Sequence, residues 1–327
     1  MTLHLQDTSL STTPLPSLHD EAWRLAPFAP PFAFSAFFSP EDTLMCVCAA
    51  DAARHLVSAD GGLRIAELTS GSGLVGLYLL GRDCRASLLG LDIEEHAARV
   101  AELNAQQLGL ADRARFRQAD LWSASTLQLL QEDVPQLLVC NPPYVPEPPG
   151  TKMEIEAGAG PHGTAHLLRA LELTRLLKPE TLALSWCSLS DPAGIVAAAE
   201  GSGYRLRMLY VTAIADGEYS GSVHAYLRDL DDCFINEQRE TLEIIAPDES
   251  ARFAYLLMAG AFDRGDPENV APVVDTICSN FAREGVRSLA SVTAPFVVRC
   301  SMLTRWDELR LRVILHGQVP RPAKASS

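Results

Sequence analysis

Segments typical of β-strands alternate with segments typical of helices along most of this chain, and this alternation limits the fold more than any other feature. The segments rich in apolar and β-forming residues are Leu63–Leu68, Ser87–Asp92, Ala114–Gln118, Gln136–Cys140, Thr181–Cys187, Tyr204–Thr212 and Val223–Leu227. Helical patterns lie between them, at Gly73–Leu80, Glu94–Leu108, Ala124–Glu132, Thr164–Leu177 and Pro192–Gly201. The alternation predicts an α/β fold in which helices cover both faces of a seven-stranded, mostly parallel sheet. Because no helix is predicted between the last two strands, we expect them to form an antiparallel edge.

The chain divides into three parts by sequence pattern. Residues 1–60 form an arm rich in Ser, Thr and Pro, followed by a helix that begins at Pro40. Residues 61–230 contain the alternating segments. Residues 231–327 are predicted to be a small C-terminal α+β extension that serves as a lid or an oligomerisation domain. Its predicted elements are helices at Ser250–Phe262 and Val270–Arg283 and strands at Phe296–Cys300 and Leu309–Leu315.

Composition and charge exclude several classes of protein. Apolar runs are far shorter than the roughly 20 residues that span a bilayer, so we predict no membrane association and expect a cytoplasmic protein. The net charge of −14 repels polyanions, which makes a nucleic acid the less favoured partner. No metal site is predicted, because the cysteines form no C-x-x-C unit; they occupy positions 46, 48, 84, 140, 187, 233, 278 and 300. The sequence does not indicate an oligomeric state.

A glycine-containing turn, Thr69-Ser70-Gly71-Ser72-Gly73, joins the first predicted strand to a helix. Glycines allow the backbone to approach a ligand closely, and a helix N-terminus offers unpaired N–H groups to a carboxylate. The same turn also occurs where a strand simply packs against a helix. The turn alone therefore leaves a cofactor site and a structural role equally open.

Acidic residues end the next two predicted strands. Asp92 follows Leu88–Leu91 and could accept hydrogen bonds from both hydroxyls of a ribose, while Asp120 could accept one from an adenine amino group. Ile93 and Leu121 follow these acids and are predicted to contact the same ligand. Each acid alone is more typical of a turn or a helix cap, but three ligand-binding features at successive strand ends favour a nucleoside cofactor.

The tetrapeptide Asn141-Pro142-Pro143-Tyr144 directly follows the fourth predicted strand. The Asn141 side-chain oxygen and the Pro142 carbonyl could accept both N–H bonds of a planar NH2 group, whose nitrogen is a weak nucleophile that must be positioned. Proline keeps these acceptors rigid, and Tyr144 offers a face to a planar substrate. Asn141, Pro142 and Tyr144 are therefore the predicted catalytic residues. The alternative is a Pro-Pro turn that has no chemical role.

These motifs together resemble those of the Rossmann-like, S-adenosylmethionine-dependent N-methyltransferases. The similarity is greatest to the HemK-like release-factor glutamine N5-methyltransferases of the eukaryotic and archaeal type. It includes Phe38-Ser39-Pro40-Glu41-Asp42-Thr43 before the first strand, and Glu147-Pro148-Pro149 and Glu156-Ala157-Gly158 after the tetrapeptide. The resemblance implies that S-adenosylmethionine is the cofactor, S-adenosylhomocysteine is the product and the loop after the tetrapeptide borders the acceptor pocket. The cofactor-binding residues that it implies, together with those predicted above, are Thr43, Glu67, Thr69, Gly71, Gly73, Asp92, Ile93, Asp120, Leu121 and Asn141.

Two departures from the family pattern limit this prediction. Thr69 occupies the position of the first family glycine, which places cofactor affinity in question. The chain also continues for about 100 residues beyond the point where this subtype ends. The predicted acceptor is a glutamine-like side chain of a protein or peptide. The alternatives are a small molecule of a biosynthetic pathway, an amino group of an RNA or DNA base, and a cofactor-binding module without turnover.

Overall fold

The computed structural model of the protein describes residues 36, 39–58, 61–247 and 250–300. The predicted arm before residue 36, the Phe38 position of the first family motif and the predicted strand Leu309–Leu315 lie outside these residues. Helices and strands alternate from residue 40 onward. They are α1 (Pro40–His55), β1 (Arg64–Leu68), α2 (Leu74–Arg82), β2 (Ser87–Asp92), α3 (Glu95–Gln107), β3 (Ala114–Gln118), α4 (Ala124–Glu132), β4 (Leu137–Cys140), α5 (Ala165–Leu177), β5 (Thr181–Cys187), α6 (Pro192–Gly201) and β6 (Tyr204–Ala215).

Eight further elements follow β6 and complete the described chain. They are α7 (Glu218–Ser222), α8 (His224–Asp229), β7 (Ile235–Asn236), α9 (Arg239–Ile245), β8 (Ala254–Arg264), α10 (Ala271–Glu284), the 3-10 helix Gly285–Ser291 and β9 (Val297–Arg299). No helix of the described chain is both long and apolar enough to cross a membrane.

The strands form one sheet in the order β3-β2-β1-β4-β5-β8-β6-β9, and β7 pairs with β8. Strands β1 to β5 are parallel to one another, whereas β8 is antiparallel to both β5 and β6. The order 3-2-1-4-5 is that of doubly wound, Rossmann-like sheets, in which ligands bind at the carboxyl ends of the strands. The predicted α/β fold is therefore confirmed, with nine strands in the described chain instead of seven.

Apolar side chains cover both faces of the sheet, as a buried parallel sheet requires. One cluster joins α1, α2 and α3 to one face, and a second joins α5, α6 and α10 to the other. Helix α1 is itself almost fully buried, with many small side chains between Leu44 and Ala53 that allow it to lie close to the sheet. Ser39 caps its N-terminus and Pro40 begins it. The predicted scaffold helix is thus confirmed, and its first turn is held at the carboxyl edge of the sheet.

Two secondary-structure predictions were wrong. The segment predicted as a helix at Ser250–Phe262 contains strand β8, whose residues from Ala254 to Phe262 are all buried. A strand buried on both faces has no polar alternation, so periodicity does not distinguish it from a buried helix. The segment predicted as a strand at Val223–Leu227 is helical instead, with Val223 as the N-cap residue of α8. Here Val223 and Leu227 contact the core at helical spacing, four residues apart.

Strand β8 belongs to the part of the chain that was assigned to the C-terminal extension. It pairs along its length with β6 and over seven residues with β5, so residues 254–264 contribute a central strand to the main sheet. The antiparallel pairing expected for β6 is made with this strand. The helix predicted at Val270–Arg283 and the strand predicted at Phe296–Cys300 are confirmed as α10 and β9. The role of the extension as a lid or oligomerisation domain stays a prediction.

Candidate active site

A cleft of about 290 Å³ opens at the carboxyl ends of β1 to β4. Its walls are the segments that follow these four strands, the first turn of α1, the loop at 155–157 and residues 217–220 at the start of α7. This position is where a doubly wound sheet binds its ligand. The structure brings most of the predicted site residues to this cleft; they are Thr69, Gly71, Asp92, Ile93, Asp120, Leu121, Asn141, Pro142 and Tyr144.

The turn after β1 and the end of β2 are connected through Asp92. Its Oδ2 accepts a hydrogen bond of 2.8 Å from the backbone N–H of Gly71, and its Oδ1 accepts one of 3.0 Å from Glu94. Burial raises the pKa of Asp92, while these N–H groups lower it. Each carboxylate oxygen has a further lone pair, so the side chain can accept ligand hydroxyls in the orientation that the turn imposes.

Thr69 has a backbone conformation that is unusual for its residue type. Its φ is 54°, in the left-handed region, and its Oγ1 donates a 2.5 Å hydrogen bond to the carbonyl oxygen of Leu68. A β-branched residue is strained in this region, where glycine is not. The family glycine at this position therefore has a physical basis, and Thr69 achieves the same turn at an energetic cost.

Three predicted cofactor residues are not part of the cleft wall. Glu67 is buried beneath the turn, where its Oε2 accepts a 3.0 Å hydrogen bond from the N–H of Gly76 in the first turn of α2. Burial raises the pKa of Glu67 to about 8. Gly73 has a φ of 76°, and a Cβ there would meet the Phe116 ring at 2.7 Å. Thr43 is buried in α1. In the structure these residues shape the turn and the helices behind it.

The tetrapeptide 141–144 lies along the cleft directly after β4. The Oδ1 atom of Asn141 is buried and has no hydrogen-bond partner within the described chain. Buried polar atoms almost always have a partner, so an unpaired acceptor on a cleft-lining residue indicates a ligand donor. Tyr144 donates a hydrogen bond of 2.7 Å from its hydroxyl to Oδ1 of Asp42, which fixes the orientation of its ring.

The structure adds site residues that the sequence did not reveal. Asp42 lines the cleft in place of its neighbour Thr43, and Tyr255 from β8 lines it beside Tyr144. Tyr219 of α7 also lines it and donates a 2.7 Å hydrogen bond to Oε1 of Glu156 in the loop after the tetrapeptide. That loop contributes residues 155–157 to the cleft, near the tetrapeptide, as the resemblance implies. Asp42 could have been predicted from its place in the Pro40–Thr43 motif. No sequence pattern around Tyr219 or Tyr255 indicates that these residues line the cleft.

The adenine end of the predicted site contains a further pair of aromatic residues. Trp122 follows Leu121, and its backbone N–H donates a 2.9 Å hydrogen bond to Oδ1 of Asp120. His166, near the start of α5, packs edge-on against the Trp122 ring, with ring centroids 4.9 Å apart. By contrast, His162 lies outside the cleft wall and pairs with Asp232 at 2.8 Å.

Comparisons with known proteins give similarity over part of the chain. No family model matches it. The release factor glutamine methyltransferase of Rhodospirillum rubrum is 44% identical over 85 residues, which are 26% of this chain and 24% of the relative. The corresponding enzyme of Moorella thermoacetica is 33% identical over 146 residues, 42% of this chain and 46% of the relative. The human MTRF1L release factor glutamine methyltransferase is 34% identical over 91 residues, 28% of this chain and 27% of the relative.

Among solved structures, a putative RNA methyltransferase from Pyrococcus horikoshii aligns at a TM-score of 0.45 with 12% identity. The alignment covers 75% of this chain and 99% of that one. An S-adenosylmethionine-dependent methyltransferase from Agrobacterium tumefaciens aligns at a TM-score of 0.41 with 16% identity. This alignment covers 69% of this chain and 63% of that one. The chain spans from about a quarter to just under half of the length of the curated relatives described above. Over those segments, the chain is similar to release factor glutamine methyltransferases.

Proposed function

We propose that this protein is an S-adenosylmethionine-dependent methyltransferase that acts on a planar or amide nitrogen. The observation that carries the proposal is the unpaired, buried Oδ1 of Asn141, a residue that lines the same cleft as Asp92 and Asp120. An acceptor atom without a donor suits an incoming NH2 group, and the two acids suit a nucleoside. Similarity to release factor glutamine methyltransferases supports the same conclusion.

The residues of the cleft fit the chemical groups of this cofactor. Asp92 would hold the ribose hydroxyls, Asp120 and Leu121 the adenine, and Thr69 and Gly71 the amino acid end, with Ile93 beside the nucleoside. When bound, S-adenosylmethionine supplies a methyl group made electrophilic by its sulfonium. Glu67 supports the turn from behind, through its hydrogen bond to Gly76.

The tetrapeptide would position the acceptor nitrogen. The Asn141 side-chain oxygen and the Pro142 carbonyl accept its two N–H bonds, so the nitrogen lone pair is aimed along one direction. Because Pro143 follows, the backbone of Pro142 is restricted and its carbonyl is held in one orientation. The Tyr144 ring, held by Asp42, provides a flat surface beside the planar acceptor. Such a site needs no strong base, since the methylated nitrogen becomes acidic and releases its proton after transfer.

The acceptor that these features favour is a glutamine side chain of a protein. An amide has the planar NH2 group that the tetrapeptide suits, and the curated relatives are named for glutamine in release factors. A release factor is therefore the first protein to test. The net charge of −14 disfavours a nucleic acid acceptor. A small amide or amine remains the alternative acceptor, and a binding module without turnover the alternative class of protein.

The test is production of S-adenosylhomocysteine when the protein is incubated with S-adenosylmethionine and a release factor or its glutamine-containing peptide. Asn141→Ala should abolish turnover and leave cofactor affinity within a few-fold, because Asn141 acts on the acceptor. Asp92→Ala should weaken cofactor binding strongly in calorimetric titration. Turnover by Asn141→Ala would overturn the mechanism. Tight cofactor binding without turnover on protein, peptide or small-amide pools would favour the binding module.

A further inference from the structure

His166 lines the cleft and has an unsatisfied polar atom. Its Nδ1 is buried and has no hydrogen-bond partner among the described residues, and His166 is a cleft-lining residue. Asn141 is the other cleft-lining residue with such an atom in the described part of the chain. Asn141 has a role in the proposed function, whereas His166 belongs to neither the sequence motifs nor the proposed acceptor site. Its unpaired nitrogen therefore requires a separate explanation.

The surroundings of His166 place it at the nucleobase end of the cleft. Its ring packs against Trp122 at an interplanar angle of 74°, and the backbone N–H of Trp122 binds Asp120. Arg169, one turn along α5, donates a 2.8 Å hydrogen bond from Nε to the carbonyl oxygen of Leu121. Two contacts therefore tie the start of α5 to the segment 120–122, and the imidazole is held beside the carboxylate predicted to meet adenine.

We propose that His166 recognises the adenine of the cofactor, with Nδ1 accepting a hydrogen bond from the exocyclic amino group beside Asp120. This inference rests on the proposed function, since adenine enters the cleft only with the cofactor. An amino group has two N–H bonds, and the carboxylate of Asp120 and the imidazole of His166 provide one acceptor for each. Trp122 holds the imidazole ring in place.

The protonation state of His166 suits an acceptor. Burial lowers the pKa of His166, although the charge of nearby Asp120 acts in the opposite direction. The imidazole is therefore neutral at pH 7, and a neutral imidazole has one nitrogen that accepts. A nucleobase with an amino group satisfies that nitrogen without bringing another charge into the cleft.

The inference is tested by combining a change in the protein with a change in the ligand. Calorimetry measures the affinity of wild-type protein and His166→Ala for S-adenosylhomocysteine and for its analogue that lacks the 6-amino group. We expect His166→Ala to weaken S-adenosylhomocysteine binding about three- to tenfold, as the loss of one neutral hydrogen bond does. Its affinity for the deaminated analogue should stay within twofold of wild type. A purely structural role would weaken both ligands equally.

Two further variants keep the result interpretable. His166→Phe retains a ring against Trp122 but lacks the nitrogen, so it should reproduce the selective loss even if His166→Ala folds poorly. His162→Ala removes an exposed histidine that is paired with Asp232 outside the cleft wall, and should bind both ligands as wild type does. Equal losses for both ligands, or none, would overturn the role of His166 and leave the proposed function intact. Failure of wild-type protein to bind S-adenosylhomocysteine would overturn both.

Discussion

The hydroxyl of Tyr144 donates a 2.7 Å hydrogen bond to the carboxylate of Asp42, 102 positions earlier in the chain. Asp42 belongs to the first turn of α1 and is only 7% exposed. Burial raises the pKa of Asp42, and the bonds from Ser39 and Tyr144 oppose that rise. The tetrapeptide after β4 is thus connected to α1 by a hydrogen bond, and the orientation of Tyr144 depends on both residues.

This contact predicts that Asp42 and Tyr144 act as a unit in turnover. Tyr144→Phe and Asp42→Ala should each lower kcat about 10-fold or more, since each breaks a hydrogen bond to a carboxylate. The double variant should be little worse than either single one, because the same bond is lost. Steady-state kinetics measure the coupling. Asp42→Asn retains an acceptor oxygen and serves as the milder control. If the fold losses in kcat of the two single variants multiply in the double variant, the two residues act independently.

Thr69→Gly is expected to stabilise the protein. Glycine adopts the left-handed conformation of residue 69 without the strain of a β-branched side chain, and part of this gain is offset by the greater freedom of glycine in the unfolded chain. The net change in unfolding free energy should be about +0.5 to +1 kcal/mol, measured by chemical denaturation. Thr69→Ala keeps the Cβ and should not stabilise. If Thr69→Gly instead lowers the unfolding free energy, the Thr69 side chain stabilises the folded protein despite its backbone conformation.

The raised pKa of Glu67 predicts that the unfolding free energy falls as the pH rises. Its pKa in the folded state is about 8, against an ordinary value of 4.5, mainly because of burial. The folded state therefore binds this proton more tightly than the unfolded state. The resulting stabilisation is complete below pH 4.5 and is lost as the pH rises through 8. Glu67→Gln keeps an oxygen for the Gly76 N–H, so it should unfold with a shallower decline in stability between pH 5 and 8.5. Identical slopes for variant and wild type would contradict the raised pKa.

Tyr219 is expected to affect the acceptor rather than the cofactor. Its bond to Glu156 joins α7 to the loop that follows the tetrapeptide, and both residues line the cleft. Tyr219→Phe should raise the KM for the acceptor several-fold and leave cofactor affinity unchanged. Tyr226→Phe is the matched control, because Tyr226 lies outside the cleft wall and binds the carbonyl of Pro161. A change in cofactor affinity with an unchanged KM would place Tyr219 at the other end of the cleft.

Residues at the ends of parallel strands were predictable from sequence. Asp92 ends β2, Asp120 lies two residues after β3 and Asn141 directly follows β4, and parallel topology brings such positions to one edge. Asp42, His166 and Tyr219 were missed because each reaches the cleft from an element that is distant in sequence from the strand ends. Only the assembled fold brings them together. The resemblance predicts that Glu67 contacts the cofactor, and in the structure its carboxylate also accepts a hydrogen bond from Gly76 in the first turn of α2.

The most consequential error in predicting the fold was strand β8. Residues from Ala254 to Phe262 are uniformly apolar and rich in Ala and Leu, a composition typical of a helix. They form a strand because β5 and β6 pair with them on either edge, while helices and loops cover both faces of the sheet there. Tertiary contacts therefore overrode local preference, and no local pattern in the segment indicates the partners on either side.

The position of β8 also constrains how the chain is assembled during synthesis. β5 and β6 leave the ribosome well before residues 254–264, yet in the finished sheet they are separated by that later strand. Until it arrives, the nascent chain has two apolar strands with open hydrogen-bonding edges, the kind of surface that promotes aggregation. Completing the sheet is therefore a late event, and a chain that ends before residue 254 lacks the strand that joins β5 to β6.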